Sequence, residues 1–128
     1  MTKAPLIAVV DDDDAIRCAL SRLLRACGFN VTTFVSGLAL IDSLGGQRPG
    51  CVVMDFQMPG LTGGDVQRLL MLAGIHLPIV IMTAYDHPGI REECLGNGAV
   101  ACLVKCDLQD HLIPAIEAAT ASRISVAS

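Results

Sequence analysis

Short apolar runs recur along the chain, at Leu6–Val10, Asn30–Phe34, Cys51–Met54, Pro78–Met82 and Val100–Val104. Their starts lie more than about twenty residues apart, too far for hairpins and far enough for helical crossovers. The runs are nearly continuous in Val, Ile and Leu, which suits strands buried on both faces of a parallel sheet. Between them the apolar positions take a helical period. Ile16, Leu20, Leu23, Leu24 and Cys27 form one stripe, with Asp13 and Asp14 as candidate caps before it and Gly28 as a closing residue after it. Ser36 is placed to cap a short second helix ending near Gly45-Gly46. Val66, Leu69, Leu70 and Ala73 predict a third helix closed by Gly74, Pro88–Leu95 a weaker fourth, and Leu108, Leu112, Ala115, Ile116 and Ala119 a fifth. Pro114 sits harmlessly in the first turn if Asp110 caps the fifth helix, and distorts it if the helix begins at Leu108. The early start with distortion is expected. Five strand–helix units predict an α/β fold, an open parallel sheet with helices on both faces, forming a single domain over residues 1–128.

Composition narrows the class. The chain is 52% hydrophobic and only 3% aromatic, with no Trp, so its core must be aliphatic and a disordered chain is excluded. No apolar run approaches the ~20 residues needed to cross a membrane. No apolar signal region precedes Asp11, and six cysteines are scattered without a CxxC or a Cys/His ligand spacing. Reduced, buried thiols and a cytoplasmic location are therefore expected. The net charge of −4 offers no basic field for direct nucleic-acid binding. Charged residues are sparse, at 17%, but four of the acids stand together at Asp11, Asp12, Asp13 and Asp14.

In an open parallel sheet, ligands bind beyond the carboxyl ends of the strands, where the strand order reverses. The first apolar run is followed by Asp11 and Asp12, the third by Asp55, the fourth by Thr83 and the fifth by Lys105, one of only two lysines. The second ends in Phe34-Val35-Ser36 with neither acid nor base, as an edge strand would in the order 2-1-3-4-5. Asp13 and Asp14 are better explained as helix-capping and dipole charges. Asp11, Asp12 and Asp55 are different, because three carboxylates converge only with a cation or a raised pKa. An all-oxygen set without His or Cys points to Mg²⁺. Mg²⁺, an ammonium and a Thr hydroxyl together suit a phosphoryl group, and a carboxylate would be its nucleophile.

Val9-Val10-Asp11-Asp12, Val53-Met54-Asp55-Phe56-Gln57-Met58-Pro59-Gly60 with Gly63 following, Ile81-Met82-Thr83-Ala84 and Val104-Lys105 resemble the receiver domain of bacterial two-component response regulators. The motifs occur in that family's order and spacing over almost the whole chain. The residues around the turn are most similar to receivers of nitrogen-fixation-type transcriptional regulators. The resemblance implies a CheY-like, flavodoxin-like fold with strand order 2-1-3-4-5 and five flanking helices. It implies that Asp55 accepts a phosphoryl group from a histidine kinase or a histidine phosphotransfer protein. Asp11, Asp12, Asp55 and the main-chain carbonyl of Gln57 would hold Mg²⁺. Lys105 would pair with the acids and then with the phosphate. Thr83 would move to the phosphate, and Ala84 would keep the site open. The signal would pass to a downstream protein through the face made by the fourth helix, fifth strand and fifth helix. Ile113, several alanines and a weakly charged surface, with Glu117 and Arg123, also suggest a homodimer there.

Two departures from the family pattern stand out. Lys105 is followed by Cys106 instead of proline, and a cis bond before a non-proline costs ~2.5–4 kcal/mol, so trans geometry or strain is expected. Cys102 occupies the position where the family commonly has an aromatic that rotates with the Thr. The switch then depends on Thr83 with backbone movement, or on Tyr85 as a partial substitute. Gln57 and Tyr85 should flank the site entrance. His76, His87 and His111 share no spacing with the acids and read as surface residues. The expected activity is that of a phosphoacceptor, not a turnover enzyme. The alternative is a Mg²⁺-dependent phosphatase or phosphotransferase with an Asp nucleophile, which usually needs a second acid two residues on, where this chain has Gln57. A flavodoxin-like cofactor binder ranks last, because Asp11–Asp14 would repel a cofactor phosphate.

Overall fold

The strands are β1 (Leu6–Val10), β2 (Asn30–Phe34), β3 (Cys51–Asp55), β4 (Ile79–Thr83) and β5 (Ala101–Val104) in a computed structural model that describes the backbone of residues 4–127 and side chains through residue 121. The helices are α1 (Asp14–Ala26), α2 (Gly37–Ser43), α3 (Gly63–Leu72), α4 (Pro88–Gly96) and α5 (Leu108–Ala127), with a 3-10 turn over Lys105–Asp107. The sheet has the order β2-β1-β3-β4-β5, and every pairing is parallel. No helix among the described residues is long and apolar enough to cross a membrane.

The pattern places the helices on two faces. Val9, Val53, Val80 and Met82 point to a cluster completed by Leu20 and Leu24 of α1 and Leu112 and Ile116 of α5. Val10, Val52, Met54 and Ile81 point the other way, to Leu40 of α2, Val66 and Leu70 of α3 and Cys94 of α4. A fully buried aliphatic side chain contributes about 1.5–3 kcal/mol, so these clusters can supply the driving force without aromatics. The two edge strands depart from the expected burial. β2 is exposed or half-buried throughout, and only Cys102 of β5 is buried. Each edge strand has a neighbour on one side only.

Local chemistry sets the helix ends. Asp13, not Asp14, caps α1, accepting from the N–H groups of Ala15 and Ile16; Asp14 lies in the first turn and pairs with Arg17. Ser36 caps α2 through the Ala39 N–H. Thr62 and Asp65 form a reciprocal capping box on α3, a signal readable from their spacing but absent from the apolar pattern. His87, exposed, caps α4 through its Nδ1, with Pro88 in the first turn. Pro114 lies inside α5, consistent with the early start; it removes the N–H that would otherwise bond the carbonyl of Asp110. The Lys105–Cys106 peptide is trans, as no cis bond occurs among the described residues. The cysteines correct an expectation. Cys51, Cys94 and Cys102 are buried and unbridged, whereas Cys18, Cys27 and Cys106 are exposed, the first two on the outer side and at the end of α1.

Gly63 is a point of close approach. A Cβ there would lie 3.0 Å from both the Asp55 carbonyl oxygen and the Phe56 Cα, and its N–H donates to the Phe56 carbonyl at 2.8 Å. Backbone atoms at that distance cannot simply turn aside, so the start of α3 must press on the end of β3. Gly63→Ala should destabilise the chain by about 1–3 kcal/mol in urea unfolding; an unchanged midpoint would contradict this packing.

Candidate functional site

Sheet register brings the acids together. Val10 is paired with Met54 across β1 and β3, so the next residues, Asp11 and Asp55, emerge side by side. Thr83 is paired with Val104 across β4 and β5, which sets Lys105 just beyond the same rim. Asp11 is fully buried, Asp55 is 4% exposed and Thr83 is buried, while Asp12 is exposed. Lys105 Nζ lies 3.2 Å from Asp11 Oδ2 and 3.4 Å from Asp55 Oδ2, so one ammonium serves two carboxylates.

The remaining oxygens are held by main-chain donors. Asp11 Oδ1 accepts from the Asp13 N–H at 2.9 Å, and Asp55 Oδ1 accepts from the Gln57 N–H at 3.3 Å. Arg17, which the apolar pattern gave no reason to select, donates to the Asp11 carbonyl at 2.6 Å and ties α1 to the end of β1. Thr83 Oγ1 faces its own loop. It donates to the Tyr85 carbonyl at 3.2 Å and accepts from the Tyr85 N–H at 3.4 Å. Ala84, Tyr85 and the Gln57 side chain are exposed, whereas Cys102 is buried. His76, His87 and His111 are exposed, and none of them joins the group formed by Asp11, Asp12 and Asp55.

Burial first, and then the charge of Asp11, push the Asp55 carboxyl above its ordinary range; Lys105 and the Gln57 N–H draw it back by less. Burial alone would lower the Lys105 ammonium, but the charges of Asp55 and Asp11 outweigh it and hold it up. The cluster is thus short of positive charge. Asp11, Asp12 and Asp55 each offer an oxygen within 4.8 Å of the others, so the donor set fits a hard, oxygen-seeking cation.

The fold and this rim define a class. The response regulator receiver domain family model matches residues 7–117, and the chain belongs to that family, the receivers of two-component signal transduction. Within it the chain is similar to FixJ-type regulators. It is 40% identical over 119 residues to the transcriptional regulatory protein FixJ of Bradyrhizobium diazoefficiens, spanning 93% of this chain and 58% of that protein. The chain spans about half the length of the curated relatives it matches. The crystal structure of FixJ-N superposes with a TM-score of 0.85 at 28% identity, covering 94% of this chain and 95% of that one. A response regulator receiver protein from Burkholderia phymatum superposes with a TM-score of 0.79 at 40% identity, covering 91% and 95%.

The raised Asp55 carboxyl has a consequence for stability. A carboxyl held above its unfolded value favours the fold when protonated, and that contribution is lost as pH rises through its folded value. Asp55→Asn should therefore stabilise the metal-free chain at pH 7, with the gain shrinking as the pH falls and Asp55 itself becomes protonated. Urea unfolding at pH 7 and at lower pH checks this; a destabilised Asp55→Asn at pH 7 would contradict it.

Proposed function

We propose that this receiver takes a phosphoryl group onto Asp55 from a phosphohistidine and thereby changes its affinity for a protein partner. The observation that carries the proposal is the buried Asp55 carboxylate at the end of β3, 3.4 Å from the Lys105 ammonium and grouped with Asp11 and Asp12. Asp11, Asp12 and Asp55, with the main-chain carbonyl of Gln57, would hold Mg²⁺, which when bound neutralises charge on the phosphoryl oxygens.

The chain's own residues then have distinct tasks. A deprotonated Asp55 oxygen attacks phosphorus, and the phosphorus–nitrogen bond breaks with its electron pair passing to the imidazole. Lys105, already between the two acids, turns to a phosphoryl oxygen. Thr83 must exchange its bonds with the Tyr85 main chain for one to the phosphoryl group, and the segment between β4 and α4 follows it. Ala84 leaves room for that approach. With Cys102 in place of a ring, the signal relies on this backbone movement more than on an aromatic rotamer. Gln57 and Tyr85 flank the entrance and set how readily water reaches the acyl phosphate.

A histidine kinase or a histidine phosphotransfer protein would be the donor, and the downstream protein would dock on the face of α4, β5 and α5. Exposed Leu95 of α4 and Val100, just before β5, would also suit a second copy of the chain. Ile113 of α5 is half-buried and packs on the core, while Arg123 lies outside the described side chains. In this proposal the chain works in the cytoplasm as a switch that assists its own phosphorylation. The similarity to FixJ, a transcriptional regulatory protein, supports an output in gene regulation delivered by a partner or another domain.

Beryllofluoride with Mg²⁺ should mimic the phosphoryl group. Ligand at a hundred times its Kd would raise the unfolding free energy by about 2.7 kcal/mol, and shifts in amide resonances should spread from Thr83 into α4. Asp55→Asn should abolish both effects, and Thr83→Ala should keep the binding but lose most of the shifts in α4. A response that survives Asp55→Asn, or none in the unmodified chain, would sink the proposal.

A further inference from the structure

The first turn of α4 depends on one ring nitrogen. Pro88 opens the helix and has no main-chain N–H, so the N–H groups of Gly89 and Ile90 are the next that need an acceptor outside the helix. Both donate to Nδ1 of His87, at 3.0 and 3.4 Å, and the Arg91 N–H donates to the His87 carbonyl at 3.0 Å. Gly89 makes room for the ring: a Cβ there would lie 3.0 Å from His87 Cε1 and 3.2 Å from Nδ1. The imidazole is exposed. The charged groups on or against α4 are engaged elsewhere or unpaired. Asp86 holds Arg91 at 2.9 Å, and Arg91 also reaches the Cys102 carbonyl of β5 at 3.4 Å. Glu93 and Asp65 both hold Arg68 of α3. Among the described residues neither Glu92 nor any other carboxylate forms an ion pair with His87.

A neutral imidazole with its hydrogen on Nε2 accepts at Nδ1, whereas a protonated ring carries a hydrogen on both nitrogens and accepts at neither. We propose that His87 makes the start of α4 a pH-responsive joint, wound while the ring is neutral and released when the ring takes up a proton. Protonation leaves the Gly89 and Ile90 N–H groups without their acceptor. It also sets a positive charge beside the positive end of the helix dipole. Both effects act in the same direction. The fold favours the neutral ring, so the contribution of this cap is present at alkaline pH and is lost as the pH falls. Histidine is the side chain that ordinarily changes its charge between about pH 5 and 8, a range over which Asp, Asn or Ser would cap the helix without such a response. The joint lies between Thr83 and the body of α4, so acidification loosens the segment through which a signal from Asp55 would pass. The proposal does not depend on phosphoryl transfer at Asp55.

The test is NMR of the carbon- and nitrogen-labelled full chain between about pH 8 and pH 5.5, the range in which histidine changes charge. The Gly89 and Ile90 amide signals should move as the pH falls, and the Cα shifts of residues 88–92 should move from helical towards unstructured values. The ratio of unwound to wound first turn should rise about fivefold. His87→Asn, whose side-chain oxygen accepts at every pH, should hold the turn wound throughout, and His87→Ala should show the looser turn at both ends of the range. Unmoved Gly89 and Ile90 signals in the unmodified chain would overturn the proposal. So would an equal pH response in His87→Asn, which would place its origin at another group such as the Asp55 carboxyl. If His87→Asn is already unwound at the alkaline end, His87→Asp supplies the same comparison.

Discussion

Asp11 and Asp55 leave the sheet side by side and share one ammonium, that of Lys105. Two carboxylates taken out of water next to one cation remain electrostatically unbalanced, and much of the architecture at this rim can be understood from that imbalance. The Asp13 and Gln57 N–H groups and the Arg17 guanidinium gather around the two residues without supplying a second full charge to the carboxylates. The protein thus keeps a local deficit that folding alone would not favour. Such a deficit is useful only if a cation, a phosphoryl group or both complete it.

The rest of the fold makes that arrangement rigid on one side and yielding on the other. β1, β3 and β4 are interior or nearly so, with Val9, Val10, Val53, Met54, Ile81 and Met82 all fully buried, so Asp11 and Asp55 cannot move apart cheaply. Gly63 lets α3 pack directly against the end of β3 and closes that side further. Thr83 is anchored in β4, but Tyr85, whose main chain its hydroxyl binds, is exposed, as are Asp86 and His87 after it. In the proposed switch, a change in charge at Asp55 would be passed on through the exposed segment leading to α4. The Arg91 contact to the Cys102 carbonyl at 3.4 Å and the Gln67 contact to the Cys94 carbonyl tie α4 to β5 and α3, so movement there would be felt on two neighbouring elements.

The interior strands were legible because burial on both faces demands continuous Val, Ile and Met, and that pattern is visible without coordinates. The edge strands were legible by position but not by burial, since Asn30–Phe34 has no buried position and has only one neighbour. Residues that end strands, Asp11, Asp55, Thr83 and Lys105, could be found because register in a parallel sheet carries consecutive strand ends to one rim. Which acid caps α1 was not settled by the apolar stripe: Asp13 and Asp14 differ by one position, and only backbone direction separates the cap from the first turn. The exposed Cys18, Cys27 and Cys106 show that a thiol's place in a hydrophobic chain does not follow from composition. Arg17's bond to the Asp11 carbonyl and the Gln67 bond to the Cys94 carbonyl depend on contacts between separate elements, which no spacing along the chain encodes.

The most direct test of the central claim is covalent. The chain is incubated with phosphoramidate, a small donor with a phosphorus–nitrogen bond, in the presence of Mg²⁺, and its intact and peptide masses are measured. The charge deficit at Asp11 and Asp55 predicts a single added phosphoryl group, on the peptide containing Asp55, that fails to form when the metal is chelated. An unmodified chain under these conditions, or a phosphoryl group carried by another residue, would contradict the account.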